Sequence, residues 1–170
     1  KQSAFVWGNN ENGELGINVA HDSHRSSPVQ LPGSLWNVTK NRGDASNVPL
    51  QVKSDGTMWA WGSNSYGLLG QNQAVPTKVS SPTQIPGTNW SLCSSTTTHA
   101  TAIKTDGTLW TWGRNSYGEL GQNNRTHYSS PVQIPGTNWS TTKGTLISSS
   151  IASFAIKTDG TLWSWGYNGA

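Results

Sequence analysis

The groups in this chain that could carry out chemistry are few and dispersed. Five aspartates (Asp22, Asp44, Asp55, Asp106, Asp159), three glutamates (Glu11, Glu14, Glu119), four histidines and one cysteine make up the whole stock. Two carboxylates facing each other across a cleft would suit glycoside hydrolysis, and here the pair would have to come from Glu11, Glu14 and Glu119. Glu14 and Glu119, however, occupy one repeated tetrapeptide, Gly-Glu-Leu-Gly, in which the middle copy carries Leu68. Asp55, Asp106 and Asp159 each precede a glycine (Gly56, Gly107, Gly160) in the same local sequence. An active site needs one such group and a repeated turn needs one per copy, so these are structural turns. His21 and His24 stand three apart in a polar loop, a poor match to zinc spacing. No serine sits in a nucleophile elbow, and no glycine-rich phosphate loop precedes a lysine. Cys93 alone can form neither an internal disulfide nor a thiolate cluster and reads as a small buried apolar side chain. The sequence therefore predicts no catalytic residue, no metal site and no cofactor.

The elements that would position any site follow from composition. The chain has 170 residues, 32% hydrophobic and 11% charged, with 19 Gly and 8 Pro. Serine, threonine and asparagine make up about a third of it. That profile would suit disorder, except that ten tryptophans are present. A buried tryptophan removes about 150–250 Å² from water, an upper bound of about 4–6 kcal/mol each. This is a folded, turn-rich chain. No apolar run reaches the length of a membrane span, so membrane insertion is not expected. The net charge of +3 comes from 11 basic against 8 acidic residues scattered along the chain, which gives no basic patch and no expectation of nucleic-acid binding.

Internal repetition organises the sequence. Lys53-Ser54-Asp55-Gly56-Thr57-Met58-Trp59-Ala60-Trp61-Gly62 recurs at 104–113 and 157–166, and Ala4-Phe5-Val6-Trp7-Gly8 is the tail of a further copy. Three more landmarks follow in order: Gly-x-Leu-Gly at 13–16, 67–70 and 118–121; Ser-Pro then Pro-Gly; and a lone tryptophan at 36, 90 and 139. Periods run 1–54, 55–105 and 106–158, and residues 159–170 begin a fourth. Asp-Gly between apolar runs predicts a tight hairpin. The run before it, as in Ala102-Ile103-Lys104, and the alternating Leu109-Trp110-Thr111-Trp112 after it predict two strands, with Trp110 and Trp112 on one face. Val132-Gln133-Ile134 predicts a third, and a fourth is expected near Trp139 or within 146–151. No segment has sustained helical periodicity. Four short strands in about 50 residues are a propeller blade or a solenoid coil.

The run at 106–121, Asp-Gly-Thr-Leu-Trp-Thr-Trp-Gly-Arg-Asn-Ser-Tyr-Gly-Glu-Leu-Gly, followed by Ser130-Pro131-Val132-Gln133-Ile134-Pro135, resembles the repeat of the RCC1-like (regulator of chromosome condensation) propellers. The resemblance covers the whole chain and implies an all-β fold of four-stranded antiparallel blades around a central axis. It departs from the family at Gly-x-x-His: only His99 holds that place, with Val48 and Ala152 in the other copies. Three blades cannot close a ring when about 4–8 are needed. The expectation is an arc of a larger propeller, completed by flanking repeats of the same chain or by other protomers.

Function in such a scaffold is grafted onto variable loops. The most variable run from Gly-x-Leu-Gly to Ser-Pro: Ile17 to Ser27, Gln71 to Ser81 and Gln122 to Ser130. Four residues before each proline stand His24, Lys78 and His127, and three before stand Arg25, Val79 and Tyr128. Repeat geometry places these loops side by side on one rim. The basic and aromatic members, His24, Arg25, Lys78, His127 and Tyr128, are candidate contacts for a protein or glycan partner. The expected function is a non-catalytic binding or structural module. Near-identical copies such as Ser-Pro-x-Gln-Ile-Pro-Gly-Thr-Asn-Trp are similar to repeats of large bacterial surface proteins and phage fibre proteins, which implies an extracellular, cell-surface or virion location. The resemblance also implies two alternatives, nucleotide exchange on a small GTPase and inhibition of a secreted enzyme by propeller loops.

Overall fold

The computed structural model describes residues 3–37, 41–43, 48–73 and 77–169. Asp44 and most of the variable stretch from Asn37 to Asn47 lie outside the described residues. Among the described residues, thirteen strands form four sheets. The first pairs β1 (Phe5–Gly8) with β2 (Arg25–Gln30). The second holds β4 (Leu50–Val52), β5 (Met58–Ser63) and β6 (Lys78–Ile85), extended by a bridge between Trp36 and Lys53. The third runs β7 (Trp90–Ser95), β8 (His99–Lys104), β9 (Leu109–Gly113) and β10 (Tyr128–Gln133). The fourth holds β11 (Leu146–Ser148), β12 (Ala152–Ile156) and β13 (Leu162–Gly166), with a Trp139–Lys157 bridge. Strands β4, β7 and β11 pack side by side where successive sheets converge, as in propeller blades. To this antiparallel, blade-like arrangement the third sheet adds one further pairing. β3 (Asn41–Gly43) joins the third sheet parallel to β7, pairing Asn41 with Cys93. An end strand leaves backbone N–H and C=O groups open, and this segment covers those of β7.

The hairpins follow from three residue types. Asp55 Oδ1 accepts from the Thr57 amide at 3.0 Å and its hydroxyl at 2.7 Å, while the Gly56 N–H donates to the Lys53 carbonyl at 3.1 Å. Gly56 has φ +80°, which a residue with a Cβ adopts only under strain. The Thr57 hydroxyl then accepts from the Trp59 indole N–H at 2.9 Å, orienting the first strand tryptophan. Asp106-Thr108-Trp110 and Asp159-Thr161-Trp163 repeat the arrangement. In all three, donation by the threonine hydroxyl and then its amide holds the aspartate below the usual carboxylate range.

Alternation along each strand makes both faces of an internal sheet apolar. On the third sheet, Cys93, Ala100, Ala102, Trp110 and Trp112 pack against Leu50, Val52, Met58, Leu68 and Ile85 of the preceding sheet. Its other face sends Leu92, Ile103, Leu109 and Ile134 against Trp139, Leu146, Ala155 and Trp165 of the next. Between the first and second sheets, Val6 and Leu31 meet Trp36, Trp59 and Trp61. Cys93 is buried, and that burial pushes its thiol up to about 12, so it stays protonated and unreactive.

A joint recurs at each seam. The second strand tryptophan donates its indole N–H to the carbonyl of the residue inside the preceding Gly-x-Leu-Gly: Trp61 to Glu14 at 2.7 Å, Trp112 to Leu68 at 2.8 Å, Trp165 to Glu119 at 2.8 Å. Only the main chain is used, so Glu and Leu are interchangeable there. The closing glycine lies against the same indole: a Cβ on Gly16 would stand 2.7 Å from Trp61 Nε1, and one on Gly70 3.2 Å from Trp112 Nε1. This close approach is why the tetrapeptide ends in glycine.

Candidate protein-interaction rim

Each sheet has two ends. At the Asp-Gly end, a lysine ammonium lies between two indole rings. Lys53 Nζ is 4.4 Å from the Trp36 ring and 4.2 Å from Trp59; Lys104 is 4.8 Å from Trp90 and 4.4 Å from Trp110; Lys157 is 5.1 Å from Trp139 and 4.6 Å from Trp163. These stacks repeat with the fold and account for the lone tryptophans Trp36, Trp90 and Trp139, all buried.

The opposite end carries the variable loops. Its organiser is the asparagine three residues after the second strand tryptophan: Asn10, Asn64 and Asn115, all buried. Each side-chain oxygen accepts, at 3.0 Å, the N–H of the leucine in its own Gly-x-Leu-Gly. Sequence reasoning missed these asparagines, although their fixed distance from each Trp-Gly was a usable signal. The backbone N–H of Asn10 donates to His24 Nδ1 at 3.1 Å and that of Asn115 to His127 Nδ1 at 2.9 Å. In the middle copy the Asn64 N–H donates instead to the Thr77 carbonyl at 2.7 Å. The two candidate histidines thus hold equivalent places in separate copies, and each uses one ring nitrogen to fix its own loop.

The other candidate residues lie along the same edge. Lys78 reaches across a seam, its ammonium donating to the Glu11 carbonyl at 3.0 Å. The Arg25 guanidinium contacts the neighbouring His24 carbonyl at 3.4 Å, and the Tyr128 hydroxyl accepts from the Asn124 amide at 3.2 Å. Adjacent loops are stitched to one another by Asn18 N–H to the Ser80 carbonyl and Asn72 N–H to the Ser129 carbonyl, both 2.8 Å.

A row of rings crosses this edge that the sequence reading did not single out. Tyr66 lies 5.9 Å edge-to-face from His127. The Arg114 guanidinium carbon is 5.6 Å from the Tyr66 ring and 5.4 Å from the Tyr117 ring. Tyr117 in turn meets Tyr167 edge-to-face at 5.0 Å. Tyr66, Tyr117 and Tyr167 are 42%, 42% and 49% exposed. Tyr66 and Tyr117 stand fifth after the strand tryptophan in their copies, and Arg114 and Tyr167 second, so the row occupies two fixed places of the period, although the second is Ser63 after Trp61. Beneath it Glu119 is fully buried: Oε2 accepts from the Tyr117 N–H at 2.7 Å, and Oε1 has no donor among the described residues. No cluster of three or more His, Cys, Asp or Glu able to hold a metal occurs among the described residues, and no helix there is long and apolar enough to cross a membrane.

Four sheets with converging strands, indole joints and a looped rim match a known repeat. The profile described as "Regulator of chromosome condensation (RCC1) repeat" matches residues 55–103 and 106–143. The chain belongs to the RCC1 repeat family. It is 26% identical over 170 residues to the ultraviolet-B receptor UVR8 of Arabidopsis thaliana, covering 95% of this chain and 36% of UVR8. It is 28% identical over 170 residues to the E3 ubiquitin-protein ligase HERC2 of Homo sapiens, covering 96% of this chain and 3% of HERC2. The RCC1 repeats here thus span a minor part of these relatives. Among solved structures, human WBSCR16 aligns with TM-score 0.76 at 22% identity over 96% of this chain and 43% of that one. Yeast RCC1 (Prp20) bound to Kap60 aligns with TM-score 0.76 at 19% identity over 95% and 39%. At these identities the likeness is one of fold: an all-β propeller segment.

Proposed function

We propose that this segment is a non-catalytic protein-binding module whose partner docks on the loop-bearing rim. The observation that carries the reading is the row of exposed tyrosines Tyr66, Tyr117 and Tyr167 joined by the half-buried Arg114, continuous across successive sheets and ending on His127, with Lys78 on the same edge. Aromatic and arginine side chains dominate binding energy at protein interfaces, and these sit on loops held by a rigid framework. Family membership supports it further: the fold relative Prp20 was solved bound to the protein Kap60. The second component of the proposal concerns the flanks. Trp7 on the first sheet and Leu162 on the last are exposed, whereas the equivalent Trp61, Trp112 and Leu109 are buried, and Phe5 and Trp163 are exposed where the equivalent Trp59 and Trp110 are half-buried. Further repeats of the same chain, or other protomers, cover those surfaces. The surface-protein or virion setting is part of the same proposal and rests on the near identity of the copies.

The test is comparative capture on the immobilised chain from an extract of its source organism. A variant with Lys78→Ala, Tyr66→Ala and Tyr117→Ala is expected to lose the proteins that the native chain retains. A variant altered at the opposite end, Thr105→Ala, is expected to retain them. Equal capture by all three overturns the rim reading.

A further inference from the structure

Resting on that reading of the rim, we propose that Arg114 is its anchor and that it receives a carboxylate of an acidic protein segment. Three contacts fix the guanidinium: the Tyr66 ring at 5.6 Å, the Tyr117 ring at 5.4 Å, and Nε donating to Ser116 Oγ at 3.0 Å. Among the described residues no acceptor engages either Nη nitrogen. A guanidinium already stacked and tethered has little side-chain freedom left to lose on binding. Its two Nη groups form a flat fork that matches the two oxygens of a carboxylate, a pairing a lysine ammonium cannot reproduce.

The surrounding charge selects an anion. In the rim segments of the second and third copies, residues 63–81 and 114–130, the charged side chains are Lys78, Arg114, Arg125 and Glu119. Glu119, the lone carboxylate, is turned inward and buried, so the outward charge is of one sign. The half-exposed tyrosines on either side offer apolar surface to the methylene stems and backbone of a bound peptide, which favours a polypeptide over a free anion. Tyr66 holds its ring there from a backbone at φ +60°, a conformation unusual for a bulky residue.

Fluorescence anisotropy of labelled decaglutamate and decaglutamine peptides against the 170-residue chain at low salt tests this. Decaglutamate is expected to bind and decaglutamine not. Both Arg114→Gln and Arg114→Lys are expected to weaken binding about tenfold or more, since the planar fork and not the charge alone is required. Arg125→Gln removes an equal charge from the same rim but leaves the Arg114 fork in place, and is expected to cost about threefold or less, and Ser116→Ala, at a positioning residue, about as little. Near-ultraviolet circular dichroism confirms that each variant keeps its packing. Native-like binding by Arg114→Lys, or equal binding of the two peptides, overturns the anchor. A phosphoserine peptide that binds more tightly than decaglutamate through Arg114 overturns the carboxylate. Failure of decaglutamate to bind, with capture still abolished by the Lys78, Tyr66 and Tyr117 substitutions, overturns the acidic partner and leaves the rim reading standing.

Discussion

Between the second and third sheets the converging strands meet largely as hydrocarbon: Val48, Leu50 and Val52 pack with Cys93, Ala100 and Ala102, and the side-chain bonds across, Ser95 Oγ to the Val48 carbonyl at 3.3 Å and Cys93 Sγ to the Leu50 carbonyl at 3.5 Å, end on main chain. Between the third and fourth the same positions meet as hydrogen bonds. His99 Nε2 and Ser153 Oγ are 2.8 Å apart, Thr101 and Ser148 hydroxyls are 2.8 Å apart, and the Ser148 N–H donates to Ser94 Oγ at 3.1 Å. Strand β8 serves both seams by alternation, Ala100 and Ala102 facing one way and His99 and Thr101 the other. The difference teaches that the indole joint sets sheet spacing, while the filling at the converging end is free to be apolar or polar. A polar filling carries an obligation that an apolar one does not, because each buried group must keep its partner.

The joint itself gives the largest expected effect. Trp112 is fully buried at the apolar seam, and Trp112→Ala is expected to cost about 3–5 kcal/mol in urea unfolding. Trp165, half-buried at the other seam, is expected to cost less than half of that when replaced by alanine. Equal losses would show that burial does not set the strength of the joint.

Acid should separate the seams next. Burial pushes the His99 imidazole down to about 4, against an ordinary value of 6.5. A lowered folded value means the neutral form is favoured by folding. The associated stability is fully present above about pH 6.5 and is lost as pH falls toward 4, about 3 kcal/mol in all. Protection from amide exchange, taken relative to the intrinsic rate at each pH, is expected to fall near Ser148 and Ser153 in that window before it falls near Leu50 and Val52, and His99→Gln should flatten the dependence. The turn aspartates titrate only below it, since theirs are lowered from 3.8.

Much of this was legible beforehand, because a repeat reports its own structure. Asp-Gly-Thr, the alternating tryptophans and the glycine pairs dictate short-range geometry, and each copy confirmed the others. The β3 pairing was not legible. It depends on which open backbone edge a variable segment reaches, and nothing in Asn41–Gly43 encodes that partner. The polar seam was half visible: His99 stood out, but Thr101, Ser148 and Ser153 are indistinguishable from solvent-facing residues in a chain so rich in serine and threonine. The rim loops were found by their variability. The stacked Arg114 was not, since stacking needs Tyr66 and Tyr117 from two copies and only folding brings these together.

Two smaller effects sharpen the contrast. Ser148→Ala or Thr101→Val strands a buried hydroxyl or its partner and is expected to cost about 1–3 kcal/mol, whereas the double variant should cost less than the sum. A strictly additive cycle would mean the hydroxyls do not depend on each other. Smallest, Lys104→Met should lose about 0.5–1 kcal/mol with its two indole contacts, and the change should weaken at high salt.

The indole joint has an evolutionary corollary. Every copy brings a donor at its leading face and a carbonyl with a glycine notch at its trailing face, so a duplicated unit arrives with both halves of the fastening. Lengthening such a gene by unequal crossing-over asks for no new interface, and drift in the exposed loops can then give each added unit its own specificity.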